Sequence, residues 1–236
     1  MKPTTATTHS LIDRIIQEIL AEADIRSAPI DALQLAGRLG IEVVLNRSQK
    51  ERGRLVESGG RTMIVVRPEP RSERYQWTIA HEIGEYVIPR LSTDWTHDLV
   101  AIDSTVREWM ANRFATCLLT PLPFFLADAT EVQFDLFKLK EIYHTASYEV
   151  IALRMLDAET PCLISIFDNG RMTRRLTNLE HRPPKLLDIE RQCQREASQS
   201  RRMVVRESDV AKVQAWPIHE EEWKREIIRT EPIFWE

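Results

Sequence analysis

The chain has 236 residues, 43% of them hydrophobic and 29% charged, with a formal charge of −4. That length buries one core with an extension or two small cores. The composition is that of a soluble globular protein, and no segment approaches the length of a membrane span. The net charge hides an asymmetry: between Arg171 and Arg206, nine Arg and one Lys face four acidic residues, a local surplus of six positives. Such a stretch is either a solvated basic face or an attractor for an acidic partner. Cys117, Cys162 and Cys193 are widely spaced with no C-x-x-C pair. They exclude a cysteine zinc site and a disulfide framework and, with no apolar leader in the first 20 residues, point to a reducing cytoplasm.

In chain order, Leu11, Ile12, Ile15, Ile16 and Ile19 recur at helical spacing. A second short helix is opened by Pro29-Ile30-Asp31 and stopped at Gly40. Residues 41–45 read as a strand. Two more strands, 54–56 and 62–66, are joined by Glu57-Ser58-Gly59-Gly60 as a hairpin turn. After Pro68 and Pro70 a helix is expected from Ser72, followed by a polar loop over 90–103 that contains His97. A long helix runs from about Thr105 to Leu119 and stops at Pro121. Two further helices are predicted over 134–156, with a break near Thr145-Ala146. Residues 162–167 and 172–176 form a hairpin about Asn169-Gly170. The remainder, with Trp216, Trp223 and Trp235, reads as irregular with two helical pieces. The expected organisation is a domain over 1–158 and a C-terminal extension over 159–236 that senses a signal or binds a partner.

The chemistry sits in the helix that holds His81-Glu82-Ile83-Gly84-Glu85. Metalloprotease helices carry H-E-x-x-H, in which two histidines one turn apart bind zinc and the intervening Glu is the general base. Here the second histidine is Glu85. Positions i and i+4 share a helix face, so His81 and Glu85 can offer a nitrogen and an oxygen to one ion, with Glu82 to the side. A third donor must come from elsewhere. Glu108, 27 residues beyond His81, is the best candidate, although Thr105-x-x-Glu108 also has the form of a capping box. A site of one His and two carboxylates suits Zn²⁺ and accommodates Mn²⁺ or Fe²⁺. H-E-x-x-E alone is common on helix surfaces, and His97 and His144 read as ordinary polar histidines.

The ordered set of segments resembles the ImmA/IrrE family of metallopeptidases over about residues 11–157. Residues 32–43 are similar to its entry helix and strand, and Arg54-Leu55-Val56 with Met63-Ile64-Val65-Val66 to its hairpin. Residues 74–84 are similar to its active-site helix. Arg107-Glu108-Trp109-Met110-Ala111-Asn112-Arg113-Phe114-Ala115 followed by Leu118-Leu119-Thr120-Pro121 resembles the segment that carries the third ligand, and 146–156 the helix pair that follows. The resemblance implies an α+β, zincin-like fold with a small three-stranded sheet packed on helices. It implies one catalytic zinc, His81 and Glu108 as ligands, Glu82 as base, and cleavage of a DNA-bound repressor or toxin–antitoxin regulator. Glu85 stands where the family usually has its second histidine. The expected function is therefore a metal-dependent endopeptidase acting on a helix-turn-helix regulator, with no membrane association and no direct nucleic-acid binding. The alternatives are a protein of the same fold that binds its regulator without cutting it, and a DNA-binding regulator using the helices of 138–156 and the Arg-rich stretch.

Overall fold

The computed structural model describes residues 5–91, 103–180 and 182–233. The chain divides into two compact units, one of residues 1–128 and 140–147, the other of 129–139 and 148–236.

In the first unit, α1 (Thr5–Glu22) and α2 (Ala32–Arg38) precede β1 (Glu42–Leu45), β2 (Gly53–Ser58) and β3 (Arg61–Val66). Asp31 caps α2 by accepting from the Leu33 and Gln34 N–H groups, and Gly40 leaves the helix at φ +72°. The sheet order is β1-β3-β2, with β1 parallel and β2 antiparallel to the central strand. Gly59 and Gly60 both take positive φ, the geometry of a tight hairpin whose twist matches its strands.

Two long helices follow, α3 (Ser72–Leu91) and α4 (Ser104–Leu119), and they pack against each other. Ile79, Ala80 and Ile83 of α3 and Ala111, Phe114 and Leu118 of α4 are buried with Ile12 and Ile16 of α1 and Ile64 and Val66 of β3. Gly84 lets the two helices close up, since a Cβ there would meet the Phe114 Cβ at 3.0 Å. Pro121 ends α4, but a helix absent from the sequence expectation, α5 (Leu122–Glu131), starts at once. Its Pro123 falls in the first turn, where a missing N–H costs nothing.

The second unit contains α6 (Leu136–Ile142) in part, α7 (Tyr148–Arg154), β4 (Leu163–Asp168), β5 (Arg171–Thr177), α8 (Asp188–Ser200), β6 (Val204–Glu207), β7 (Ala211–His219) and β8 (Lys224–Pro232). The β4–β5 hairpin turns at Asn169-Gly170 as expected, with both residues at positive φ. The strands form one antiparallel sheet in the order β5-β4-β8-β7-β6. This differs from the irregular, partly helical reading of the tail. One helix forms, and residues 204–232 are mostly strand. α8 covers one face, burying Cys193 and Ala197 against Phe167, Val213, Ala215 and Ile228. No helix among the described residues is long and apolar enough to cross a membrane.

Candidate metal centre

α3 presents two working faces. One carries Thr78 and Glu82 toward β2, and the other carries His81 and Glu85 toward α4. The α3–α4 crossing brings Glu108, from the first turns of α4, opposite this second pair. His81 Nε2 lies 3.6 Å from Glu108 Oε2, and one donor atom from each of His81, Glu85 and Glu108 lies within 4.8 Å of the others. The three residues singled out by spacing thus converge. The capping-box explanation of Glu108 does not hold, because the helix begins one residue earlier and Asp103 caps it by accepting from the Thr105 N–H. Glu108 is free to face His81. His144 is exposed in the turn after α6 and is not part of the cluster, and His97 lies outside the described residues.

Asn112, one turn beyond Glu108 on α4, ties the cluster together. Its Nδ2 donates to Glu108 Oε1 at 2.9 Å, so its Oδ1 is the atom facing His81 Nδ1 at 3.2 Å. An amide oxygen can only accept, so Nδ1 carries a proton and Nε2 is the ring nitrogen that faces Glu108. That is the tautomer a metal-ligating histidine requires, fixed by a partner on its other nitrogen. The sequence expectation assigns Asn112 no such role; the i,i+4 step from Glu108 to Asn112 is the signal that could have pointed to it.

Glu82 is only 8% exposed. Burial pushes its carboxyl upward from the usual value; the His81 imidazole opposes this, the Glu85 and Glu108 carboxylates add to it, and the Leu55 backbone N–H lowers it. Gly53 on β2 makes room for this side chain: a Cβ there would meet Thr78 Cγ2 at 2.5 Å and Glu82 Oε1 at 2.6 Å.

Arg107 is the one cation in hydrogen-bond contact with these carboxylates among the described residues. Its Nε donates to Glu85 Oε2 at 3.2 Å and its Nη2 donates to the same oxygen. Among the described residues, the three carboxyl groups of Glu82, Glu85 and Glu108 face one guanidinium, an excess of acidic side chains. The donor set, the imidazole tautomer and this excess all fit a divalent cation. A guanidinium already resting on Glu85 marks where positive charge is favoured.

These features define an α+β domain with a His-Glu-Glu donor cluster and a buried Glu beside it, the design of a metallopeptidase. The profile of the IrrE N-terminal-like domain, Peptidase_M78, matches residues 36–156, just over half of the chain. The chain belongs to that metallopeptidase family. Among solved structures, a Mycobacterium tuberculosis transcriptional regulator superposes with a TM-score of 0.70 at 14% identity, over 94% of this chain and 76% of that one. At that identity the likeness is one of fold. No curated protein matches the sequence significantly.

Proposed function

We propose that this protein is a metal-dependent endopeptidase that cuts a helix-turn-helix type repressor or antitoxin-like regulator in the cytoplasm. The observation that carries the reading is the convergence of His81, Glu85 and Glu108 beside the buried Glu82. His81, Glu85 and Glu108 would hold the ion, with Zn²⁺ the first choice and Mn²⁺ or Fe²⁺ compatible with two oxygen donors. When bound, the ion supplies Lewis acidity for the carbonyl and the attacking water. Asn112 keeps His81 in the ligating tautomer. Glu82, whose proton affinity is raised by burial, takes the proton of the attacking water and returns it to the leaving amine.

A polypeptide substrate is supported by β2, an outer strand that passes Glu82 at Gly53, where an extended peptide can add by main-chain pairing. Trp109, next to Glu108 in α4, is an exposed apolar side chain suited to substrate contact. A protein partner is favoured over DNA because Arg174, Arg175, Arg191 and Arg206, within the basic stretch, each pair with an acidic side chain. The buried thiols of Cys117, Cys162 and Cys193 accord with a reducing compartment.

Elemental analysis of the purified, metal-supplemented chain tests the reading; metal in fewer than about a tenth of molecules would sink it. Glu82→Gln should keep metal while cleavage of a peptide library, followed by mass spectrometry, falls by about 10²–10⁴. A second reading, binding to the regulator without cutting, draws on the Arg107–Glu85 pair. It predicts that Glu82→Gln retains full biological effect.

A further inference from the structure

We infer that Arg107 and Glu85 act together as a neutral replacement for a histidine ligand, with Arg107 setting how tightly the site holds its ion. The inference rests on the metal site proposed above. Catalytic zinc sites of two histidines and one carboxylate carry one negative charge on their protein ligands. His81, Glu85 and Glu108 carry two, which would bind a divalent ion more tightly and leave it a weaker Lewis acid. The Arg107 guanidinium restores the balance to one.

The geometry is specific to this purpose. Both Arg107 donors go to a single oxygen, Glu85 Oε2, so Oε1 is left for an ion. Glu85 is only 15% exposed, whereas Arg107 is 55% exposed, so the guanidinium reaches in from solvent to a carboxylate anchored on α3. Arg107 is adjacent to Glu108 in the chain, on the same turn of α4. The element that delivers the third donor therefore also delivers the charge that offsets the second. A guanidinium suits this role because its charge is permanent and its fork grips a carboxylate directionally.

The test is a double-mutant cycle on the full chain, with Zn²⁺ and Mn²⁺ affinities measured by competition with a chromogenic chelator. Arg107→Gln should bind either ion about tenfold more tightly than the parent, because a neighbouring positive charge has gone. In a Glu85→His background the same substitution should change affinity by less than about threefold. Arg107→Lys, which keeps the charge, should stay close to the parent. The exposed position leaves the core untouched, and circular dichroism verifies each fold. Unchanged or weaker binding in Arg107→Gln would overturn the inference, since a merely structural arginine gives that result; so would an equal gain in the Glu85→His background. If the parent binds neither ion, the metal reading itself fails, and this inference with it.

Discussion

In the unit built on the five-stranded sheet, Glu190 and Glu226 are fully buried and well matched. Glu190 receives a two-pronged grip from Arg175 at 2.9 and 3.0 Å, the Thr230 hydroxyl at 2.6 Å and the Leu187 N–H. Glu226 meets His219 Nε2 at 2.7 Å and Gln194 at 3.1 Å. In the other unit, Glu82, Glu85 and Glu108 gather about one histidine, and among the described residues Arg107 is the arginine paired with them. A buried acid with a full complement of donors stabilises a fold or sets its register. A cluster left with surplus negative charge is poised for a cation from outside.

That contrast can be broken from either side. The largest effect on stability is expected from Arg175→Met, which strands the Glu190 carboxylate in the sheet–helix interface. It should lower stability by about 3–5 kcal/mol, read by chemical denaturation, while metal affinity stays unchanged. Asn112→Ala should do the reverse. It frees His81 and Glu108 to wander, weakening Zn²⁺ affinity by about 10- to 100-fold in chelator competition, with a stability loss near 1 kcal/mol. If both variants lost stability alike and metal affinity not at all, the distinction between the units would collapse.

A smaller effect sharpens the comparison by pH. Arg225 hydrogen bonds hold the Asp168 carboxyl below its ordinary value of 3.8, with burial opposing and the Thr173 hydroxyl assisting. A carboxyl lowered by folding contributes stability that is present above its unfolded value and lost as pH falls through the folded one. The stability gap between the parent and Asp168→Asn should therefore be constant near neutrality and shrink in acid. A gap that widened on acidification would contradict the pairing.

Much of the first unit was legible in the sequence, and the reasons are local. Helix periodicity, the Asp31 cap, the Gly59-Gly60 turn and the i,i+4 spacing of His81 and Glu85 each depend on residues within a few positions. The second unit was harder to read. Its β7 and β8 strands carry buried polar residues such as Gln214, Glu226, Arg229 and Thr230 among the apolar ones. Those polar side chains blur the alternation that marks a strand, because their partners come from distant elements: Glu190 of α8 for Thr230, and Gln194 of α8 for Glu226. α5 was missed for a different reason. Two prolines suggest a loop, yet one ends a helix and the other falls in the first turn of the next.

The sequence by itself determined which candidate donors this protein has: one histidine, a glutamate beside it, a second carboxyl group one turn on, and a third 27 residues after the histidine. Helical geometry dictates that His81 and Glu85 share a face, and no tertiary contact is needed to know it. Only the packing of α3 on α4 across Gly84 and Phe114 decided that Glu108 meets them and that Asn112 selects the imidazole tautomer. The same packing seats Arg107 on Glu85. These are contacts between side chains far apart in the chain, and their distances are set by how closely two helix backbones approach.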